Sequence, residues 1–522
     1  MRRMIERLTK AHNELENARC RIVELTGAHG EWFYSDGRGS DHVALNRDEF
    51  EFRIAGGRLI FSCWSERGTL TWRVTGWEWA GDKLLLEATR RMGAERALLE
   101  LVPRASASTI SAVVSAARRK NCERLALLAC AQARGAKVER ARLSPGVRRR
   151  QPGRYARILL RLPFERIAVT GTVVAAREHD VDAFLSSALV WFMRQVENAR
   201  APDIRKLWLI TQKRCAEAAT ERLALLRDDL RRSITLYEID EAWQELTPAP
   251  QLERTELWTK RRARLPKPPA ETVIGEQAAS FIELAPQAID VVRARRGETL
   301  RFHGLPFARI RRVMSSCRIW FGVDGVRRRR LLDESTEQEW TKLLHELKEH
   351  RRAETSDRQH ALYRAAPEAW LESLLRRDIT QLDPGLCLAP LHAQFRASTE
   401  ARDAEGARGG TRPVDLLALR RDGRLVVIEL KVSEDREHVM QGADYWRQVE
   451  AHRRQGHITR ARLFGDAVIR DEPPLVYLVA PTLSFHRSFN TLAQAIDPEI
   501  EIYRFDINED WRSGVRVMRR AP

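Results

Sequence analysis

The segment from residue 412 to residue 432 constrains the fold most, because it predicts two buried strands joined by a tight turn. Val414 to Leu419 is an apolar run of strand length, and Asp422-Gly423 is a hairpin signal. Residues 424–432 form a second run, rich in β-branched side chains. Strands as apolar as these are usually covered on both faces, so we expect the hairpin to lie inside an α/β domain.

Three charged residues interrupt this hairpin, namely Asp415, Glu429 and Lys431. Glu429 and Lys431 are two residues apart, so both side chains point to one face of the sheet, and hairpin pairing brings Asp415 near them. Burying two acids and a lysine is costly unless they are paired or bind a cation. The set predicts a divalent cation on Asp415 and Glu429, with Lys431 beside a scissile phosphate. A solvated hairpin with an ordinary surface ion pair is the alternative.

The spacing of these residues resembles the core motif of the PD-(D/E)XK nuclease superfamily, with Pro413 two residues before Asp415. Gln441 and Tyr445 lie one turn apart on one helix face and resemble the additional motif of its RecB-like branch. The resemblance covers about residues 366–513, under a third of the chain. It implies a restriction-endonuclease-like fold and the catalytic residues Asp415, Glu429, Lys431, Gln441 and Tyr445.

The resemblance also implies how the site works. Mg²⁺, for which Mn²⁺ can substitute, is expected on Asp415, Glu429 and, from the preceding helix, Glu372. An exposed helix glutamate is the alternative for Glu372. Gln441 would orient the substrate strand by a hydrogen bond and Tyr445 by stacking.

The implied activity is that of a Mg²⁺-dependent nuclease that hydrolyses phosphodiester bonds, with DNA as the expected polymer, in repair, recombination or defence against foreign DNA. The alternatives are a catalytically inactive nucleic-acid-binding protein built on nuclease-like folds and an RNA-directed nuclease. The chain has no Walker phosphate loop, so ATP-driven translocation needs a separate ATPase or helicase partner. A homodimer is also considered.

The charge of the chain favours a polyanionic partner. Its 522 residues carry a net charge of +18, and the pI is about 10.1. Nucleic acid is the leading candidate for this partner, and an anionic membrane surface is the second. The alternative is a soluble protein that is rich in arginine but has no polyanionic partner. The basic clusters are Arg148 to Arg150, Lys260 to Arg264, Arg293 to Arg296, Arg309 to Arg312 and Arg327 to Arg330. The last of these either tracks a phosphate backbone or is a charged edge strand.

Cysteine usage and hydropathy predict a cytoplasmic protein that does not enter a membrane. The seven cysteines are an odd number, and none has a zinc-binding spacing, so reduced thiols are expected. The start of the chain lacks the apolar core of a signal peptide. No apolar run approaches the roughly 18 residues that span a bilayer.

The N-terminal part predicts two segments. Residues 1–30 form an amphipathic helix, in which Leu8, Leu15 and Ile22 recur every seven residues, and we expect it to dock on the body of the protein. Residues 31–105 form a small antiparallel β domain rich in tryptophan. Core packing is the favoured role for these tryptophans and base stacking the alternative. They are Trp64, Trp72, Trp77 and Trp79.

Residues 106–245 predict the same order of elements as residues 356–522, namely α-β-β-β-α-β-α-β. Three short stretches also match in the same order. They are residues 154–169 with 412–427, 193–197 with 446–450, and 234–240 with 500–506. The predicted fold class is therefore α/β, with tandem restriction-endonuclease-like domains. Two unrelated α/β domains are the alternative.

In this alignment the first copy lacks every residue of the motif. Arg157, Gly171 and Val173 stand opposite Asp415, Glu429 and Lys431. The first domain is therefore expected to be degenerate and the second to carry the intact motif.

Two further segments separate the copies. Residues 246–299 are rich in proline and predict a linker and connector, and residues 300–355 predict basic strands followed by a helix. Within the second copy, Leu391 to Phe395 predicts a strand and Glu400 to Thr411 a flexible loop that closes over substrate.

Overall fold

A computed structural model describes the chain over residues 6–8, 12–35, 43–65, 68–80, 83–90, 95–103, 107–145, 152–174, 176, 178–197, 204–258, 274–294, 297–313, 316–389 and 414–522. Several predicted features lie outside these residues. They are the clusters Arg148 to Arg150 and Lys260 to Arg264, the strand Leu391 to Phe395, the loop Glu400 to Thr411, and Pro413.

The described residues form a mixed α/β protein with twelve α-helices and four β-sheets, which confirms the predicted class at this level. The chain divides into two compact units. The first comprises Met1–Pro163, Val169–Ala176 and Asp240–Leu246, and the second comprises Phe164–Ala168, Arg177–Ile239 and Thr247–Pro522. Among the helices that the structure describes, none is long and apolar enough to cross a membrane.

The first sheet is antiparallel, has eight strands and packs against helix α1 (His12–Gly27). Its strands are β1 (Glu6–Arg7), β2 (Glu31–Ser35), β3 (Val43–Asn46), β4 (Phe50–Ile54), β5 (Leu59–Ser65), β6 (Gly68–Ala80), β7 (Lys83–Arg90) and β8 (Glu95–Pro103). Their order is β3-β2-β8-β7-β6-β5-β4, with β1 paired to β6. Leu15 and Ile22 of α1 enter the core of this sheet, as the spacing of seven predicts. The predicted helix over residues 1–30 is too long, because Glu6–Arg7 form β1 and α1 begins at His12, so Leu8 packs against the same core from outside the helix.

Three of the four tryptophans named from the sequence belong to the same core, and so does Trp32 of β2. Trp72 is 1% exposed, and Trp77 and Trp79 pack against the cluster around it. The side chain of Trp64 lies outside the described residues. The core interpretation is therefore correct for Trp72, whose buried ring presents no face to a nucleobase, whereas Trp77 and Trp79 are partly buried against the same core.

The second sheet has six strands, in the order β9-β10-β11-β12-β13-β14. Strands β9 and β10 are antiparallel, and β12 and β13 are parallel. The elements are α2 (Ala107–Gln132), β9 (Lys137–Pro145), β10 (Pro152–Arg161), β11 (Arg166–Thr172), α3 (Val181–Glu197), β12 (Ile204–Gln212), α4 (Lys213–Leu223), α5 (Asp228–Arg232), β13 (Ile234–Ile239) and β14 (Leu246–Pro248).

The third sheet is a five-stranded antiparallel meander, β15 to β19 in chain order. Its elements are α6 (Glu276–Glu283), β15 (Ile289–Ala294), β16 (Gly297–Phe302), β17 (Leu305–Val313), β18 (Ser316–Val323), β19 (Arg327–Leu331) and α7 (Glu337–His350). The boundary predicted at residue 299 is wrong, since it falls inside β16. The strands β15 and β16 are short, and basic residues lie between them in the sequence. The apolar pattern therefore did not predict this hairpin.

The predicted linker is also partly ordered by the rest of the chain. Residues 246–248 pair as β14 in the second sheet. Arg254 forms ion pairs with Asp497 at 2.5 Å and Glu499 at 2.7 Å, and Trp258 packs edge-on against Trp446. Arg254 and Trp258 therefore lie against the C-terminal region instead of in open solvent, whereas residues 276–283 and 289–294 form α6 and β15 of the third sheet.

The fourth sheet has six strands in chain order and carries the predicted motif. Strands β20 to β22 are antiparallel neighbours, β22 to β24 are parallel, and β25 is antiparallel to β24. The elements are α8 (Ala361–Arg364), α9 (Pro367–Arg377), β20 (Leu386–Leu388), β21 (Leu416–Arg420), β22 (Leu425–Leu430), α10 (His438–Arg454), α11 (His457–Arg460), β23 (Leu475–Pro481), α12 (Phe489–Ala493), β24 (Ile502–Ile507) and β25 (Val517–Ala521).

Both faces of the fourth sheet are covered. Trp370 and Leu371 of α9 share one core with Ile428, whereas Tyr445 of α10 shares the other with Val427. Every residue of β22 is buried. The buried-hairpin prediction is therefore confirmed, and the alternating faces of β22 explain why its sequence is apolar throughout.

The second and fourth sheets have the same succession of elements. In each, the strands follow chain order, one helix (α2 or α9) precedes the first strand, another (α3 or α10) joins the third to the fourth, and a third (α4 or α12) joins the fourth to the fifth. The sequence predicts this order as far as the fifth strand of each sheet, whereas the short helices α5 and α11 and the sixth strands β14 and β25 were not predicted.

A buried network of charges joins α4 to α3 and α10 in the second unit. The Arg222 guanidinium donates to Asp182 at 3.1 Å and to Asp444 at 2.8 Å. Arg447 lies 2.7 Å from Asp444 and 3.3 Å from Glu221. Burial alone raises the pKa of Asp444, but Arg222 and Arg447 outweigh it and hold that pKa below its ordinary value. Three carboxylates thus share two guanidinium groups inside the protein.

Replacing Arg222 with Met should destabilise the protein strongly. The variant leaves Asp182 and Asp444 buried without their shared cation, and breaking a buried pair in this way costs about 3–5 kcal/mol. The midpoint of urea unfolding measures the loss. Arg232→Ala is the control, because its side chain is 78% exposed and the change should stay within about 0.5 kcal/mol. Equal midpoints for the two variants would contradict the assigned role of Arg222.

Candidate functional site

The hairpin brings Asp415 and Glu429 to the same end of the sheet. Leu416 pairs with Ile428 in the antiparallel register, so the next position on each strand is Asp415 opposite Glu429. The Asp415 carboxylate accepts a hydrogen bond from the backbone N–H of Leu430 at 2.8 Å. Glu429 is 2% exposed. Both acids therefore lie at the carboxyl end of β22, as the motif predicts.

Lys431 lies beside Glu429 and is also buried. Its Nζ donates to Glu429 Oε1 at 2.7 Å, and the Lys431 side chain is 7% exposed. The two side chains therefore share one face of the sheet, as their spacing predicts. The alternative of an ordinary surface ion pair is wrong, because both members are shielded from water by the elements around β22.

Glu372 comes from α9, the helix before the sheet. It is 8% exposed, so it is not the solvent-exposed glutamate of the alternative interpretation. Arg376 donates to its Oε1 at 2.6 Å, and Arg301 of β16 lies 3.6 Å from the same atom. Arg376 also donates to the backbone carbonyl of Asp415 at 2.9 Å. Arg376 therefore holds the Glu372 carboxylate near the backbone of Asp415.

The two predicted residues of α10 have different surroundings. Gln441 is 4% exposed, and its Nε2 donates to Glu437 at 3.2 Å. Its Oε1 is buried and has no hydrogen-bond partner within the described residues. Tyr445 is 4% exposed and packs in the core against Leu417 and Val427. Its ring therefore does not offer a face on which a nucleobase could stack.

Sequence reasoning missed two residues that contact the motif. Asp435 lies 3.8 Å from Lys431 Nζ, so the lysine has a second carboxylate within reach. The His438 Nε2 lies 3.2 Å from the backbone carbonyl of Glu429, to which it donates. Both follow the carboxyl end of a buried strand, where ligand sites of α/β sheets lie, and this position is the signal that could have found them.

The electrostatics of the site reflect the burial of several charges together. Burial and then the neighbouring Glu429 raise the pKa of Asp415 well above its ordinary value. Burial lowers the pKa of Lys431, but Glu429 and Glu368 outweigh it, so the pKa is raised overall. Burial, followed by Lys431, lowers the pKa of His438 to about 3. At neutral pH, Lys431 is therefore a cation and His438 is neutral.

The carboxylate oxygens of Asp415 and Glu429 suit a hard cation that is bound by few protein ligands. Glu429 Oε2 is buried and has no hydrogen-bond partner within the described residues. Repulsion between Glu429 and Asp415 is the kind of cost that a bound divalent cation relieves, and Mg²⁺ commonly uses one or two carboxylates with retained waters. Across the part of the chain that is described, no group of three or more His, Cys, Asp and Glu side chains is arranged to hold a metal ion. Glu372 is instead paired with arginine.

Comparison with known proteins identifies no relative of this chain. No family model matches the chain, no curated protein matches its sequence, and no solved structure matches it. The resemblance to the nuclease superfamily therefore rests on the motif residues and on the geometry described above.

Replacing Asp415 with Asn should stabilise the metal-free protein at neutral and alkaline pH. The folded pKa of Asp415 is raised above its unfolded value of about 3.9. Ionised Asp415 therefore costs stability above the folded pKa, and the cost disappears below the unfolded pKa, where both states are protonated. A difference of one between the folded and unfolded pKa values corresponds to about 1.4 kcal/mol of stability. Unfolding midpoints of both proteins, measured with chelator between pH 4 and 8, test this expectation.

Asp422 provides a control of opposite sign in the same hairpin. A hydrogen bond from Arg420 lowers its pKa to about 2, so its ionised form stabilises the fold above the unfolded pKa, and this stabilisation is lost as the pH falls towards 2. Asp422→Asn should lower stability at pH 8, by less than about 1 kcal/mol because the side chain is 35% exposed. If Asp415→Asn also lowers stability at pH 8, the acids of the site do not repel each other.

Proposed function

We propose that this chain is a metal-dependent nuclease that hydrolyses phosphodiester bonds, with DNA as its substrate. The observation that carries the proposal is a buried carboxylate oxygen, Glu429 Oε2, that has no hydrogen-bond partner within the described residues and lies beside Asp415 and Lys431. A protein tolerates such an atom where a ligand supplies the missing partner. Acids with a lysine are a donor set for a cation and a phosphate.

The proposal includes membership of the PD-(D/E)XK superfamily and its RecB-like branch, supported by the spacing of Asp415, Glu429, Lys431 and Gln441 on a buried hairpin and the next helix. It also includes a tandem architecture with a degenerate first copy. Its support is the common succession of elements around the second and fourth sheets, together with the three sequence matches. The segments that follow α4 and α12 also pair with each other, Leu226 with Ile496.

In the proposed mechanism, Asp415 and Glu429 would hold Mg²⁺. When bound, the ion would neutralise charge on the phosphate and make a bound water more acidic. Lys431 presents a positive charge at the same place, and Asp435, 3.8 Å from its Nζ, offers the lysine a second carboxylate. His438 holds the backbone of Glu429 through its carbonyl. A stacking role for Tyr445 is not included, because its ring is in the core.

The basic composition supports nucleic acid as the substrate, because neutralising phosphates releases condensed counterions. RNA carries the same backbone chemistry, so an RNA-directed nuclease is one outcome of the test below. Nucleic-acid binding without cleavage is the other, and it would identify an inactive binding protein. A homodimer and a separate ATPase or helicase remain proposals.

Asp415→Ala and Glu429→Ala should each abolish cleavage while leaving nucleic-acid affinity unchanged or slightly higher. Each change removes a metal ligand and also a charge that repels phosphate, and the metal supplies several kcal/mol, so the rate should fall at least about a hundredfold. Lys431→Ala should also lose cleavage, with a small loss of affinity. Hydrolysis of linear, circular, single-stranded and RNA substrates, with Mg²⁺ and with chelator, gives the readout.

Asp422→Ala is the matched control, because it removes a carboxylate from the turn of the same hairpin. It should keep the parent rate. If the Asp415 and Glu429 variants cut as well as the parent protein, any nuclease activity resides elsewhere and the hairpin is only a scaffold.

A further inference from the structure

The helices of the two α/β regions pack on each other in a reciprocal pattern. In the proposed tandem alignment, α3 corresponds to α10 and α4 corresponds to α12. Helix α3 contacts both α10 and α12, while α10 contacts both α3 and α4. Exchanging the two copies therefore turns the contact of α3 with α12 into the contact of α10 with α4. All four helices belong to the second compact unit.

The segments after the corresponding helices α4 and α12 show the same reciprocity in their backbones. Leu226 and Ile496 form an antiparallel bridge. The backbone N–H that follows each of these residues donates to the carbonyl of the residue that precedes the other, at 3.1 and 2.9 Å. Each segment thus donates one hydrogen bond and accepts one. Equivalent residues that face each other in this way are typical of a two-fold interface between identical subunits.

The interface that these helices form is closed to water. Residues 438–452 of α10 are all buried, and so are residues 181–192 of α3 except Ala183. A helix that packed only on its own sheet would leave one side exposed to solvent. The charges at this interface are also paired, as Arg222 of α4 and Asp444 of α10 show. The face of α10 that points away from its sheet is therefore already occupied by the first α/β region.

The two copies differ in the groups that a nuclease needs. The second copy carries Glu429 and Lys431, whereas the aligned residues of the first are Gly171 and Val173. Both of these positions are buried, and neither has a side chain that can bind a cation. The reciprocal interface therefore joins one copy that has the motif to one copy that lacks it.

We propose that the chain is a pseudodimer with a single active site, which cuts one strand of a duplex in each binding event and leaves a nick. The inference rests on the proposed nuclease function and its tandem architecture, and it specifies the substrate and the product. In each event one water adds to one phosphodiester, one P–O bond breaks, and the two ends are a phosphate monoester and a hydroxyl.

The physical reason is the symmetry of the duplex. The two strands are antiparallel and related by two-fold axes, so a symmetric protein dimer can bring one site to each strand. In this chain the first α/β region takes the place that a second subunit would have, but without the acids of the motif. The other strand therefore meets no catalytic group until the protein rebinds.

The products of cleavage test the number of strands cut in each event. The substrates are a linear duplex with a different fluorophore on each strand and a supercoiled plasmid, each with the full chain and Mg²⁺. Denaturing gels should show a shortened strand while native gels still show an intact duplex. The plasmid should accumulate as open circles, and linear plasmid should appear only after a lag, because it needs two separate nicks. Linear plasmid that forms from the start as fast as open circles would overturn the inference.

Mixed chains test whether one chain acts alone. With DNA in excess, added Asp415→Ala chain should leave the rate and the products unchanged, because it neither cuts nor joins the active chain. Asp422→Ala is the matched control, since it keeps the site and should raise the rate in proportion to the chain added. In a dimer that cuts both strands, Asp415→Ala would instead shift the products from linear to nicked plasmid. Sedimentation velocity of the free protein should give the mass of one chain, 60.1 kDa.

Failure of this inference is distinct from failure of the proposed function. Cleavage of both strands in one event, or a stable dimer of the free chain, overturns only the pseudodimer with a single site. Cleavage restricted to single-stranded polymers has the same effect, because no duplex is then nicked. If the parent chain cleaves no nucleic acid, or if Asp415→Ala cleaves as the parent does, the nuclease assignment is wrong and this inference is overturned with it.

Discussion

The ion pair between Arg222 and Asp444 is the contact on which the placement of the candidate site depends. Asp444 lies within α10, the helix that also carries His438 and Gln441. Because the helix is buried, Asp444 needs a cation, and α4 supplies it through Arg222. The same guanidinium binds Asp182 of α3. The first α/β region thus supports the helix that lines the site, even though it has no acids of the motif.

The site itself is organised by charges that are only partly compensated. Lys431 satisfies one oxygen of Glu429, while the other oxygen has no hydrogen-bond partner within the described residues and Asp415 stays near a second acid. Such an arrangement costs stability in the absence of a ligand, and natural proteins retain that cost where a site must bind or react. The buried His438 and the second carboxylate, Asp435, hold the geometry around it.

The errors of sequence reasoning have physical causes. Tyr445 matches a motif by spacing, but spacing does not say whether a ring faces the core or a groove, and here it faces the core. Glu372 is placed correctly near Asp415, yet no local pattern indicates that Arg301 and Arg376 pair with it. The boundary at residue 299 failed because a hairpin of short strands, joined by basic residues, has little apolar periodicity.

The sequence by itself determined the buried hairpin, the convergence of Asp415, Glu429 and Lys431, and the order of elements in both α/β regions, because apolar runs, a turn signal and a spacing of two are local properties of the chain. Only the tertiary structure decided which charges are compensated. Arg222 pairs with Asp444 across 222 positions of sequence, and Arg254 pairs with Asp497 from a different region of the chain. Such pairings depend on how helices pack, and packing is a property of the folded chain as a whole.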